Sequence, residues 1–236
     1  MKYPAFTFLL ALCGTAQAQP LHFLTEEYPP FSYTKDGSIV GISVDQVKTL
    51  MQGAKLDYTL EMQPWARAFA LAGTTPNTCV FTTGLLPERM ASFKWVQPLV
   101  LDLMILVRKA GKPFNPTTLD EAKRYSIGVH KDDAAEIYAK QQGFPRLDSA
   151  PSLDLSLKKL LSDRVELMIM TRTHGSLRRQ GQPIETVLNL EGTRAGIACN
   201  LAVPDATISA MQVELDKLIT NGGQAEIYKR YDMAGK

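Results

Sequence analysis

The chain has 236 residues, 26 Lys and Arg against 24 Asp and Glu, and three cysteines. A charge so near balance argues against a polyanionic partner such as nucleic acid. The length suits one large domain or two modest ones, with a full core that needs no staples.

The opening "MKYPAFTFLLALCGTAQA" has one basic residue, an apolar run from Ala5 to Cys13, and small residues at Ala16 and Ala18. That is the layout of a secretory signal peptide over residues 1–18, with Gln19 first in the mature chain. Cleavage removes Lys2 and no acid, leaving 25 bases against 24 acids, a net charge of +1. No later run reaches the ~20 apolar residues that span a bilayer, so a soluble, exported, periplasmic protein is expected. Two cysteines then remain, Cys79 and Cys199. In an oxidising compartment they can form a disulfide or sit as two small buried thiols, and the sequence leaves both readings open. His22, His130 and His174 stand apart from one another and from the cysteines, which argues against a metal site or other cofactor.

In chain order, "LHFLT" reads as a short strand and "EYPPFSYTKDG" as a turn-rich loop stiffened by Pro29 and Pro30. "SVDQVKTLMQGA" reads as a helix with Val44, Val47, Leu50 and Met51 on one face and a Ser43/Gln46 capping box. Then come a strand "LDYTLEM", a Pro-started helix "PWARAFALA", an uncharged strand "TCVFTT" and a long strand "VLDLMILVRK". A short helix "LDEAKRY" and a strand "SIGVH" follow. The helix "DDAAEIYAKQQGF" has Asp133 and Glu136 placed as a capping box and Gly143 at its end. "SLDLSLKKLLSD" carries a stripe of Leu153, Leu157, Leu160 and Leu161 and feeds the strand "VELMIM". "RAGIACNLAV" is a last strand, and "DATISAMQVELDKLITNGG" a capped helix with Ile208, Met211, Leu215, Leu218 and Ile219 inward. Short uncharged strands alternating with helices predict an α/β protein with a mostly parallel sheet flanked by helices.

Tyr28 in the loop after the first strand and Trp65 at a helix start look exposed, and Arg89 in "PERM" follows a third strand. Ligands of open α/β sheets bind outside the carboxyl ends of strands, where these segments fall. Arg89 reads either as a polar helix start on the surface or as a guanidinium fork walled by aromatics and aimed at a small carboxylate.

The segments "YPPFSYTKDGSIVGISVDQVKTL", "PERMASFKWVQPL", "SIGVHKDDAAEIYA", "LLSDRVELMIM" and "NGGQAEIYKRYD", in that order, resemble the periplasmic solute-binding proteins of the polar amino-acid ABC transporter type, the family 3 extracellular solute-binding proteins. The resemblance implies a two-lobed, type II Venus-flytrap fold, each lobe a mostly parallel sheet flanked by helices. Lobe one would take residues 19–107 plus 195–236 and lobe two residues 108–194, closing over a ligand by a hinge motion. It further implies that Tyr28 and Trp65 sandwich the ligand, that Arg89 grips its carboxylate, and that backbone N–H groups near Thr83 and Gly84 assist. Cys79 and Cys199 would lie on neighbouring lobe-one strands, which favours the disulfide.

Two departures from the family pattern stand out. Thr171 occupies the place of the aspartate that pairs with an α-ammonium, while Glu166 fills an earlier, structural acidic position. The lobe-two helix start reads "KDDAA", with Asp133 and Ala134 where hydroxyl residues are usual. Asp133 is expected to cap its helix; facing the cleft, it could accept an ammonium. Arg67 is a further candidate contact. The reading that results is a monomeric binding protein, not an enzyme, that captures a small, amino-acid-like carboxylate for an ABC permease. The alternatives are a cyclic-acid dehydratase, with Glu166, Glu27 or Asp133 as general acid, and a soluble sensor module docking on a membrane histidine kinase.

Overall fold

The computed structural model describes residues 19–232, and the segment read as a signal peptide lies outside them. The first half opens with β1 (Leu21–Thr25), a hairpin of β2 (Tyr33–Lys35) and β3 (Ser38–Val40), and α1 (Ile42–Ala54). It continues through β4 (Tyr58–Met62), α2 (Trp65–Thr74), β5 (Thr78–Gly84) and the single turn α3 (Pro87–Met90). The long β6 (Lys94–Lys109) leads into the second half. There follow α4 (Leu119–Ala122), β7 (Ile127–His130), α5 (Ala134–Gln141), β8 (Leu147–Ala150), α6 (Leu153–Leu161), β9 (Leu167–Thr171) and α7 (Arg172–Arg179). A second long strand, β10 (Ile184–Cys199), returns to the first half, where α8 (Asp205–Thr220) and α9 (Gly223–Arg230) close the fold.

The strands form one sheet in the order β4-β1-β5-β10-β6-β9-β7-β8. Each flank is parallel: β4-β1-β5 on one side and β8-β7-β9 on the other. The antiparallel pair of β6 and β10, 16 residues each, joins them. β5 pairs with β10 from Ala195 to Cys199, whereas β9 pairs with β6 from Met104 to Arg108. The two halves therefore meet across Leu101–Leu103 and Gly192–Arg194, which pair only with each other.

Side chains alternate across the sheet as strand geometry requires. Phe23, Cys79, Phe81, Ile105, Val107, Met168 and Met170 face the core beneath α1, α6 and α8. Leu24, Val80 and Ala198 face α2 on the other side, and Leu106, Ile127, Val129 and Ile169 face α4 and α5. The predicted helix stripes lie inward: Val44, Val47, Leu50 and Met51 on α1 are all buried, as are Leu153, Leu157 and Leu160 on α6.

The structure corrects the sequence reading in several places, adding the hairpin of β2 and β3, the strand β8 and the helix α9, which that reading did not name. The strand read from Val100 begins at Lys94, and the strand read from Arg194 begins at Ile184. The early part of β10 is mostly polar and partly exposed, and its register shifts between Thr186 and Leu188 and again between Asn189 and Gly192, so no period of two was visible. The helix α7 has no apolar stripe to announce it. The Ser43/Gln46 capping box does not form. Gly41 is the N-cap, and the carbonyls of Pro30 and Phe31 accept from the backbone N–H groups of Ile42 and Ser43 at 2.9 Å each. Ser43 lies buried inside the first turn, and Gln46 accepts from Gln224 instead.

Cys79 and Cys199 stand opposite each other in the β5–β10 register and are bonded, with an S–S distance of 2.07 Å. Among the described residues no helix is long and apolar enough to cross a membrane.

Candidate functional site

The carboxyl ends of β1, β5, β7 and β9 point toward the junction of the two halves, where a cavity of about 40 Å³ lies. Its floor is the sheet itself. Thr82 and Gly84 come from β5, Thr193 and Ala195 from β10, Val100, Asp102 and Met104 from β6, and Thr171 from β9. The sets from β5, β10 and β6 step by two residues, so one face of each of those strands supplies them, while Ile169 and Met170 join Thr171 from β9. Tyr28 and Phe31 from the loop after β1 cover one side, and Asp133 and Ala134 at the start of α5 the other.

Tyr28 and Trp65, read as exposed, are both buried, at 7% and 2% exposure. Tyr28 reaches across the junction, its hydroxyl 3.0 Å from Thr171 Oγ1, with Phe31 and His174 edge-on to its ring. Burial, and then the charge of Asp133, pushes the Tyr28 hydroxyl's pKa well up. Trp65 follows Pro64, whose fixed φ suits a helix start. Its indole Nε1 donates to the Asp132 carbonyl at 2.9 Å.

Arg89 is no surface helix start. It is 5% exposed, with its guanidinium 4.8 Å from the Phe69 ring centre and 5.7 Å from that of Trp65. Burial lowers its pKa, opposed by the nearby Asp133. Its Nη2 donates to the same Asp132 carbonyl at 2.8 Å, while Nη1 has no partner among the described residues. A Cβ built on Gly84 would stand 3.7 Å from that Nη1 and 3.0 Å from the Ala134 Cβ. A larger residue at Gly84 would thus crowd the contact between the halves.

The turn that receives these donors is held in an uncommon conformation. Asp132 has φ 59°, in the left-handed region, and its N–H donates to Glu136 Oε2 at 2.7 Å. Thr82, on the opposite wall, has φ 59° as well. Thr82 lines the cavity, and Asp132 directly precedes the lining residue Asp133.

Asp133 does not cap α5, contrary to the sequence reading: it is the N-cap residue by position, but its side chain accepts no backbone N–H. Glu136 bonds the N–H of Asp132, so the capping box of Asp133 and Glu136 is absent too. The Asp133 carboxylate turns instead toward the cavity and toward His130, 3.9 Å from its Nδ1.

Other predicted positions fall differently. Thr83 is buried with its hydroxyl on the Val80 carbonyl, and its neighbours Thr82 and Gly84 line the cavity. Arg67 is exposed on α2 and does not line it. Glu27 is exposed and accepts from the Thr34 N–H. Glu166 accepts from the N–H and hydroxyl of Ser126, tying β9 to the start of β7. Of the three general-acid candidates, Asp133 alone lines the cavity.

Three polar residues at the junction escaped the sequence reading. His130 is 1% exposed, and its Nε2 lies 3.5 Å from Glu26 Oε2 across the halves. Burial, and then Asp133, raises the Glu26 carboxyl well above the usual carboxylate range. Glu26 directly follows β1 and His130 ends β7, next to segments already implicated, "EEYPPF" and "GVHKDD", and that placement was the available signal. The third is Asp102, a lone charge inside the apolar run "VLDLMILV". Among the described residues no group of His, Cys, Asp and Glu is arranged to hold a metal ion.

A family model described as "Bacterial extracellular solute-binding proteins, family 3" matches residues 22–234. A curated relative, the arginine-binding periplasmic protein of Mannheimia haemolytica, is 24% identical over 247 residues, covering 100% of both chains. Among solved structures, the arginine-, lysine-, histidine-binding protein ArtJ from Geobacillus stearothermophilus superposes with a TM-score of 0.81 at 20% identity, covering 90% of this chain and 95% of that one. A histidine kinase sensor domain with similarity to periplasmic binding proteins gives a TM-score of 0.83 at 14% identity, over 90% and 96% of the two chains. At these identities the structural likeness is one of fold.

Proposed function

We propose, from the premise that this chain belongs to the bacterial extracellular solute-binding proteins of family 3, that it captures a small amino-acid-like solute in the periplasm and delivers it to an ABC permease. The observation that carries the reading is Arg89. A guanidinium buried on two aromatic rings, with one nitrogen beside the cavity wall that has no partner among the described residues, is costly unless something completes its hydrogen bonds. A carboxylate does so, and the charge-assisted bond it makes is among the stronger ones.

The neighbouring charges fit the rest of an amino acid. Thr171 cannot neutralise an α-ammonium, but Asp133, turned into the cavity rather than onto its helix, can. Tyr28 lines the cavity, and Trp65 stands behind Arg89, its indole N–H on the same Asp132 carbonyl that Arg89 holds. A space of about 40 Å³ has room for only a few waters. Solute entry therefore requires the halves to part at the Tyr28–Thr171 and Arg89–Asp132 contacts, and closure excludes water around the solute. Arginine-binding relatives support a ligand of the amino-acid class.

A thermal-shift screen against the twenty amino acids and other small carboxylates tests this. A solute at ~100 times its Kd should stabilise the protein by about 2.7 kcal/mol. Arg89→Lys, which keeps charge but not the fork, should lose most of the shift. Failure of every amino acid to raise the melting temperature would overturn the reading.

A further inference from the structure

Resting on the amino-acid reading, we infer that Asp102 selects the side chain of the ligand by holding a cationic group at its far end, so that the preferred solutes are basic amino acids. The register of the cavity floor carries the argument. Gly84 pairs with Ala195, and Ala195 with Val100. Two residues further along β6, Asp102 pairs with Thr193, and two further still Met104 pairs with Thr171. At ~3.3 Å per strand residue, Asp102 stands roughly 7 Å along the floor from the row of Gly84. The unpartnered Arg89 nitrogen lies beside that row. An α-ammonium stays next to its own carboxylate and falls to Asp133. A cation on an extended side chain reaches Asp102.

Asp102 is built to receive one. Its carboxylate accepts from Leu103 N at 2.7 Å, from Thr173 N, shared by both oxygens at 3.3 and 3.4 Å, and from the Thr173 side chain, which fixes its orientation and leaves part of its four acceptor sites open. It lines the cavity, and among the described residues no lysine or arginine shares that lining, Arg89 standing directly behind the wall at Gly84. Arg172 steadies it through space alone. Burial raises the Asp102 carboxyl above its usual range, a penalty that an arriving cation relieves. The unpartnered nitrogen of the 95%-buried Arg89 marks the opposite end as ligand-seeking.

The test compares L-arginine with L-citrulline, whose neutral urea keeps the shape of the guanidinium, by isothermal titration of the mature protein. The native protein should bind L-arginine at least about tenfold more tightly than L-citrulline. Asp102→Asn, whose amide oxygen can still accept from Leu103 and Thr173, should lose at least about tenfold for L-arginine and leave L-citrulline within about threefold. Asp102→Glu, which keeps the charge, should keep the preference. The inference is overturned if Asp102→Asn retains the preference or weakens both solutes equally, the latter indicating a packing role. Should Asp102→Asn not fold, the native ratio and the Glu variant still decide. Native protein that binds L-citrulline as well as L-arginine refutes the role of Asp102 and leaves the amino-acid reading standing. Native protein that binds no amino acid at all removes both.

Discussion

Arg89 and His174 show how burial turns single side chains into measurable quantities. Arg89 sits in one turn of helix opened by Pro87, and that turn delivers its guanidinium to two rings and a carbonyl of the opposite half. Replacing it by Lys should weaken solute binding by at least about 1.4 kcal/mol, read as a tenfold fall in affinity by titration, because the charge is kept and the bidentate fork is lost. His174 is wholly buried, hydrogen-bonded to the Pro29 carbonyl, and burial holds its pKa down to about 4. The unfolded chain binds that proton near pH 6.5 and the folded chain does not. The stability it contributes is therefore present above pH 6.5 and lost as pH falls toward 4, in total about 3 kcal/mol. Glu26, with its pKa raised by burial, acts in the opposite sense: its contribution is lost as pH rises above the ordinary carboxylate value of 4.5. Melting temperatures from pH 7 to 4 should drop less steeply for His174→Asn than for the native chain. Arg89, Tyr28 and Trp65 were legible in the sequence because each follows a strand end. Glu26, His130 and Asp102 were not, because one charged residue leaves no periodic trace and becomes meaningful only when another half of the fold comes to rest on it.

Among the elements, periodicity identified α1, α6 and α8, whose apolar stripes face a core, and it missed α7, which has none. It also shortened β6, losing the stretch Lys94–Leu99 that Pro98 interrupts, and β10, whose early part is mostly polar and shifts register. The entry to α1 illustrates a backbone solution that side-chain motifs conceal. Gly41 has φ 137°, and a Cβ there would lie 2.3 Å from the Phe31 carbonyl oxygen, which itself accepts from the Ser43 N–H. Gly41→Ala should destabilise the protein by roughly 2–4 kcal/mol, through strained φ and the displaced loop, as measured by denaturant unfolding. A small effect, within 0.5 kcal/mol or so, would mean that the loop relaxes freely. The same loop carries Tyr28, so the variant should also weaken solute binding.

At the scale of the whole molecule, the long pair β6–β10 connects two parallel flanks, and the disulfide ties β5 to β10 within the first. Its cysteines are 120 residues apart in sequence, so removing both by Cys→Ser should cost about 2–5 kcal/mol by relaxing the unfolded chain. Solute affinity should change little, because both sulfurs are buried in the core below the first half. Family membership and the α/β architecture were readable from the order of segments. The closeness of the halves was not, since it depends on contacts such as Tyr28–Thr171, between residues 143 positions apart. The central claim is that the cavity between the halves holds an amino-acid-like solute by its carboxylate on Arg89. Isothermal titration of the mature native protein and of Arg89→Lys against the twenty amino acids tests it most directly. The expected result is saturable one-to-one binding of at least one amino acid by the native protein, weakened by at least about 1.4 kcal/mol, or tenfold, in the variant. No binding to the native protein, or equal binding to both, would contradict it.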